Sequence, residues 1–283
     1  MSVFLFSQSV IPTEVWLADF SFLQIRASSQ HAQCSQCIRH RHMIKHLGHH
    51  LRARNQQQQY YWQHLREQYR DRLVYYDLRG KSRRRDSNEI TIIQDGLDQS
   101  KVALPRSSVM YGKDFSTMQK PKLHVSLTMV HGYFLLWTLS NPDVQKNSDA
   151  SIETLAHALT LLEKEHGVAL SQCHIHVQAD NTAREIKNNY FLRWSACQVS
   201  CGNVGALSVR FLRTGHSHED VDQAFGRLAR HLAKLRLAQT QADFARSIRS
   251  FSQQMQRPHE PVQYTVCMND VRDWSLGHVF SFH

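Results

Sequence analysis

Three groups of acidic residues stand where strands of a predicted sheet end or where a helix begins. In chain order they are Asp95 with Asp98, then Asp180, then Glu219 with Asp220 and Asp222. Carboxylates gathered at neighbouring strand ends repel one another and raise each other's pKa unless a cation neutralises them. The pattern therefore predicts a divalent-metal site, and the hard oxygen ligands favour Mg²⁺ or Mn²⁺.

A cluster of this kind suits phosphoryl transfer on nucleic acid. Two ions about 3.5–4 Å apart activate water or a 3′-hydroxyl and stabilise the leaving oxygen. We predict that Asp95, Asp180 and either Asp220 or Asp222 are the catalytic carboxylates, with Asp98 and Glu219 as further candidate metal ligands. Glu219 and Asp222 are neighbours on a helix whereas Asp220 points elsewhere, so the three cannot all bind one metal.

Polar and basic residues beside these acids are candidate supporting groups. Asn181 follows Asp180, and His216 and His218 precede the third acidic group. We expect Arg184 and Lys187 to lie where a nucleic-acid backbone would pass. Each motif also has a simpler structural explanation, because Asp-Gly pairs form turns and acids in a first helical turn are favoured for their charge alone. Their joint occurrence in this order favours the metal site.

The hydrophobic pattern predicts the elements that position these residues. We expect strands at 89–95, 123–130, 133–139, 173–179 and 206–212, and helices beginning at Ser151 and covering 182–199 and 218–237. The order is strand, hairpin, helix, strand, helix, strand, helix, which is that of an RNase H-like fold. The predicted fold class is α/β, with a mixed sheet of three antiparallel and two parallel strands flanked by helices.

The charge is concentrated before residue 86. The chain has 34 Lys and Arg against 24 Asp and Glu, a net charge of +10, and residues 1–85 contribute 14 of the basic and 5 of the acidic residues. This predicts a basic, histidine-rich helical module at 1–85, an RNase H-like core at 86–240 and a C-terminal helix and strand at 241–283. A polyanion is the expected partner. The basic run Lys81, Arg83, Arg84 and Arg85 is either a solvated linker or a nuclear-import or phosphate-contacting patch.

Cys34 and Cys37 have a spacing typical of metal or redox sites, whereas the six cysteines together are too sparse for a disulfide framework. Zinc needs four ligands in a tetrahedral arrangement. One continuous helix would carry His42 and His46 away from Cys34, so zinc requires a turn after Cys37 or ligands from elsewhere. Two ordinary thiols on a basic helix are the favoured interpretation.

Several motifs resemble those of a large eukaryotic family of transposase-like proteins with an RNase H-like DDE core. The resemblance lies in residues 95–101 (DGLDQSK), 180–188 (DNTAREIKN), 215–223 (GHSHEDVDQ) and 271–274 (VRDW), and it extends to Cys34 and Cys37. It implies a nuclease or strand transferase derived from a mobile element. Ser217 stands where the family pattern has threonine, and the resemblance leaves open an active enzyme or a truncated or domesticated relic.

The leading prediction is thus a metal-dependent nuclease or DNA strand transferase. A non-catalytic nucleic-acid-binding protein that keeps the fold is the principal alternative, and a phosphohydrolase of small phosphates with histidine ligands is a third. We expect DNA as partner, no membrane segment and an intracellular, nuclear location, and the sequence leaves open whether the chain forms a homo-oligomer. The richest apolar stretch, 123–139, is interrupted by polar residues and is too short for a membrane helix.

Overall fold

A computed structural model describes residues 34–84, 86–107, 113, 117–211, 220–256 and 260–274 of the chain. These residues form a mixed α/β fold. The helices among them are α1 (Ser35–His46), α2 (Leu51–Arg83), α3 (Ser148–Lys164), α4 (Asn189–Ser200), α5 (Asp220–Ala233) and α6 (Gln241–Met255). The strands are β1 (Glu89–Gly96), β2 (Arg106–Ser107), β3 (His124–Val130), β4 (Phe134–Ser140), β5 (His174–Ala179), β6 (Ala206–Phe211), β7 (Leu237–Ala238) and β8 (Val262–Met268).

Six strands form one sheet in the order β6-β5-β1-β3-β4-β8, while β2 and β7 pair separately. β1, β3 and β4 are antiparallel neighbours, and β5 and β6 run parallel to β1. The predicted hairpin is confirmed, with Val130 opposite Phe134 across its turn. The C-terminal strand β8 extends the sheet by pairing in parallel with β4.

Helices cover both faces of the sheet because β1 alternates its side chains between two hydrophobic cores. Ile90 and Ile92 belong to the core that includes side chains of α3 and α4. Ile93 belongs to the other core, which includes side chains of α5 and α6 and Tyr75 of α2. A central strand that is buried on both faces has a nearly continuous apolar sequence, as the middle of β1 does.

Helix α2 joins the basic N-terminal part of the chain to the sheet. Its buried residues form one stripe along the helix: Gln57, His64, Gln68, Tyr75, Leu78 and Ser82. The first half of the stripe is polar and lies beside α1, whereas Tyr75 and Leu78 are buried apolar residues near the sheet. Near the end of the helix, the Ser82 hydroxyl donates to the carbonyl of His131 at 2.7 Å and accepts from the amide of Thr91 at 3.1 Å. These bonds fix the end of α2 against β1 and the β3–β4 turn.

Three helix boundaries differ from the sequence prediction. The helix predicted at 182–199 begins only at Asn189, because the Asn188 side chain accepts the amide of Phe191 as an N-cap and the Thr182 carbonyl accepts the amides of residues 185, 186 and 187 in a turn. The helix predicted from Ser151 begins at Ser148, where Asn147 caps it. The helix predicted at 218–237 covers Asp220–Ala233 among the described residues, and Leu237 instead lies in β7.

Within the described ranges, no helix combines the length and apolar character that crossing a membrane would require.

Gly132 lies where the end of α2 packs closely against the β3–β4 turn. Its φ is +83°, and a Cβ there would lie 2.7 Å from the Ser82 carbonyl oxygen, whereas Gly167 has a φ of +64° with open space around it. We expect Gly132→Ala to lower the free energy of unfolding by about 1–3 kcal/mol more than Gly167→Ala, since only the first substitution adds a backbone clash. Urea denaturation of both variants measures the difference. Equal losses would mean that α2 does not press on this turn.

Candidate functional site

Strand pairing brings two of the predicted carboxylates to the same edge of the sheet. β1 and β5 are parallel neighbours in a register that pairs Gln94 with Ala179. Asp95 is the next-to-last residue of β1 and Asp180 directly follows β5, so both lie at the carboxyl end of a strand. This is the edge where ligands bind in open sheets with parallel strands.

Asp95 is the most buried carboxyl of this group. Its Oδ1 accepts the amide of Gly96 at 2.7 Å. The pKa of Asp95 is raised from 3.8 to about 6, chiefly by burial; repulsion from Asp222 and Asp180 also raises it, while the Gly96 amide and Lys146 lower it. The carboxylates of Asp180 and Asp222 are therefore close enough to Asp95 to repel its charge, and we call these three residues the acid cluster.

The structure separates Asp222 from Asp220, between which the sequence leaves the third carboxylate open. Asp220 accepts two hydrogen bonds from Arg79 of α2, at 2.9 Å and 2.7 Å, and one from the Tyr75 hydroxyl at 3.3 Å. Its Oδ2 also lies 3.7 Å from Nε2 of His131, whose pKa burial lowers to about 4. The Asp220 carboxylate thus pairs with Arg79 between α2 and α5, whereas the Asp222 carboxylate repels the charge of Asp95.

Asp180 is held in an exposed turn after β5. It accepts the amide of Asn181 at 2.6 Å and the hydroxyl of Thr182 at 2.8 Å. Lys187 donates to the Asn181 side chain at 2.8 Å, and its ammonium lies 5.3 Å from the ring centre of Phe211. Asn181 and Lys187 therefore form a polar chain beside Asp180, with exposed Arg184 in the same turn.

The other predicted site residues have partners outside the acid cluster, are exposed, or lie outside the described residues. Asp98 is exposed and caps a short 3-10 helix, where hydrogen bonds from Ser100 lower its pKa. Lys81 pairs with Asp77 at 2.8 Å, and the exposed Arg83 lies 4.0 Å from Asp220. Arg84 is exposed at the end of α2. His216, His218, Glu219 and Arg85 lie outside the described residues.

Lys146 is a neighbour of the acid cluster that sequence reasoning missed. Its Nζ lies 2.7 Å from the position that a Cβ on Gly96 would take, and 3.7 Å from Oε1 of Glu185. Lys146, Asp95, Asp180 and His124 line one cleft. Nothing in the local sequence around Lys146 distinguishes it, because the loop before α3 brings it to β1 only in the folded chain.

Two other groups of potential metal ligands are more compact than the acid cluster. Among the described residues, the groups whose ligand atoms all lie within 4.8 Å of one another are Cys34 with Cys37 and His64, and Glu89 with His174 and His176. The three aspartates do not meet that limit. Oxygens bound to two ions about 4 Å apart can lie as much as about 8 Å from each other, so a two-ion site allows a wider spacing.

The Glu89 group lies at the opposite end of β1 and β5 from the acid cluster. Glu89 pairs with His174 in the strand register, and its carboxylate hydrogen-bonds to His176. That bond is the largest cause of the lowered pKa of Glu89. The alternating histidines in 173–179 are the sequence signal that could have revealed this group, and the pairing already gives the carboxylate a partner.

A family model described as a domain of unknown function (DUF7869) matches residues 113–283. The chain belongs to this family. The matched region includes Asp180, Asp220 and Asp222, while Asp95 and the cysteine pair precede it. No curated protein and no solved structure matches the chain.

The buried carboxyl of Asp95 predicts a pH effect on metal-free folding. Because its pKa is raised from 3.8 to about 6, the folded state binds this proton more tightly than the unfolded state. The stabilisation is present below about pH 4 and lost as pH rises through about 6. With a chelator present, Asp95→Asn should gain up to about 3 kcal/mol over the wild type between pH 4 and 7.

Chemical denaturation at several pH values measures this gain. Asp143→Asn, a substitution of an exposed aspartate, is the matched control and should follow the wild-type pH dependence. Parallel curves for Asp95→Asn and the wild type would show that the Asp95 carboxyl is not destabilised by its surroundings.

Proposed function

We propose that the chain is a metal-dependent nuclease or DNA strand transferase with an RNase H-like core. The proposal rests on Asp95 and Asp180 at the carboxyl ends of neighbouring strands, where they line one cleft, and on the repulsion that Asp222 exerts on Asp95. The sheet order supports it, since three antiparallel strands are followed by two parallel strands on the other side of β1, the arrangement expected from the element order.

The chemistry of the donors fits Mg²⁺ or Mn²⁺. The acid cluster offers carboxylate oxygens alone, which are the ligands that these hard cations prefer. Among the described residues, Lys146 is a cation that lowers the raised pKa of Asp95. A divalent ion would relieve the repulsion that this lysine only partly offsets. When bound, such ions supply an activated water or 3′-hydroxyl and a stabilised leaving oxygen.

The chain's own residues would position the substrate. The turn that holds Asp180 also presents Lys187 and Arg184, whose charges suit a phosphodiester backbone. Thr182 and the Asn181 amide orient the Asp180 carboxylate through their hydrogen bonds. The Asp220 carboxylate already accepts two hydrogen bonds from Arg79. We therefore propose Asp222 as the third metal-binding carboxylate.

Mg²⁺-dependent cleavage or joining of DNA tests the proposal. We expect Asp95→Asn, Asp180→Ala and Asp222→Asn each to reduce the rate by at least about 100-fold, because each removes an ionic ligand of the catalytic ions. Gel assays on labelled duplex and 3′-ended substrates, with and without Mg²⁺, measure the rates. Asp143→Asn is the control and should retain the wild-type rate.

The variant Asp220→Asn distinguishes the role of Asp220 from that of Asp222. It removes the partner of Arg79, so it should lower the melting temperature, while Mg²⁺ affinity measured well below that temperature should change less than in Asp222→Asn. Full activity in Asp180→Ala, or metal-independent cleavage by the wild type, would overturn the catalytic proposal.

The second candidate function is nucleic-acid binding without catalysis, which one face of α2 favours. Trp62, Arg66, Tyr69, Arg70 and Leu73 lie opposite the buried stripe of the helix at 100° per residue, and all are exposed. Trp62 and Tyr69 each expose 58% of their surface. Aromatic rings interleaved with arginines can stack on bases and contact phosphates of a single strand.

Salt-dependent DNA binding tests this face. If both arginines contact phosphates, Arg66→Ala combined with Arg70→Ala should reduce the slope of log K against log salt by about 1.4 to 1.8. Fluorescence anisotropy with a labelled oligonucleotide, without divalent metal, measures the slope. The double substitution Arg193→Ala and Arg236→Ala removes the same charge from other exposed positions, and an equal effect there would mean that binding follows net charge rather than this face.

A further inference from the structure

The strongest site outside the acid cluster lies between α1 and α2. Cys34 precedes the first turn of α1, Cys37 lies within that turn, and His64 comes from the middle of α2. Their ligand atoms all lie within 4.8 Å of one another. Cys37 and His64 are buried, with 6% and 7% of their surfaces exposed.

The spacing of these atoms fits a tetrahedral ion. Sγ of Cys34 lies 3.5 Å from Nε2 of His64. A thiolate at about 2.3 Å and an imidazole nitrogen at about 2.0 Å from one zinc ion, at the tetrahedral angle, are about 3.5 Å apart. We propose that Cys34, Cys37 and His64 bind one zinc ion that joins α1 to α2.

The second helix resolves the objection that a single helix cannot supply the ligands. α1 provides only the cysteine pair, and the chain reverses between His46 and Leu51 so that α2 returns beside it. The other histidines of α1 are engaged elsewhere: Nδ1 of His40 lies 2.6 Å from Gln57, and His42 and His46 contact each other on the exposed side.

A polar group beside His64 suggests what completes the coordination. The Gln68 side-chain nitrogen lies 2.9 Å from Nε2 of His64, and the Gln68 side-chain oxygen is buried without a hydrogen-bond partner. Three protein ligands leave zinc one position, which water takes in sites of this kind. Zinc bound to Nε2 of His64 would replace its hydrogen bond with the Gln68 side-chain nitrogen, and a zinc-bound water would supply the donor that the Gln68 side-chain oxygen lacks.

The ion would stabilise the helical hairpin. The contact between α1 and α2 buries few large apolar side chains, since the neighbouring stripe of α2 consists of Gln57, His64 and Gln68. Free energy of zinc binding becomes free energy of folding where the ligands come together only in the folded chain. The residues of the zinc site are distinct from those of the acid cluster, so the zinc proposal does not rest on the proposed catalytic function.

Metal analysis of the full chain, reconstituted with Zn²⁺ under reducing conditions and then dialysed, tests the proposal. We expect about one zinc per chain in the wild type and less than about 0.2 in Cys34→Ser, Cys37→Ser and His64→Ala. Cys34→Ser is the mildest variant, because Cys34 is only partly buried and serine suits a helix N-terminus. Cys267→Ser, in β8, is the control and should keep one zinc.

Cobalt substitution gives a second readout that does not depend on how the variants fold. Co²⁺ bound to the wild type should show thiolate-to-metal charge-transfer bands and the visible absorption of a tetrahedral site, and Zn²⁺ should displace it. Less than about 0.2 zinc in the reconstituted wild type, or unchanged zinc content in Cys34→Ser, would overturn the assignment.

Discussion

The burial of the Asp95 carboxyl beside two further carboxylates is the constraint on which the proposed site depends. Asp95 lies near the carboxyl end of the central strand, which has paired strands on both sides and helices on both faces. Burial there makes its charge unfavourable even before its neighbours are counted. The adjacent parallel strand delivers Asp180 to the same edge, and α5 adds Asp222. This arrangement lowers the stability of the metal-free protein at neutral pH. A divalent cation bound by the three carboxylates would offset that loss of stability.

Several acidic residues have a hydrogen-bond or ionic partner that accounts for their position. Arg79 holds Asp220 with two short hydrogen bonds, Ser100 satisfies Asp98, and His176 bonds to Glu89. These acids fulfil structural roles in helix docking, capping and strand pairing. Among the described residues, the Gly96 amide and Lys146 favour the charged form of Asp95 against its burial and its two acidic neighbours, which is why we propose the metal site there.

The sequence predicted the sheet because its signals are local. Alternation and β-branched runs located β1, the β3–β4 hairpin, β5 and β6, and parallel strands placed Asp95 and Asp180 at one edge. It could not choose between Asp220 and Asp222, because both lie in one helical turn. Our preference for Asp222 rests on the contact of Asp220 with Arg79, more than a hundred residues earlier. The helix boundary at Asn189 was missed because the preceding turn is helix-like in composition and is ended by the Asn188 cap. His64 was missed as a partner of the cysteine pair for the same reason as Lys146, since only the folded chain makes them neighbours.

Anomalous diffraction from crystals of the full chain soaked with Mn²⁺ tests the central claim most directly. We expect anomalous peaks within coordination distance, about 2.2 Å, of carboxylate oxygens of Asp95, Asp180 and Asp222. These peaks should be absent from identically soaked crystals of Asp95→Asn. A wild-type crystal with no peak at this edge of the sheet, or with manganese bound only by Asp220 or Asp98, would contradict the account.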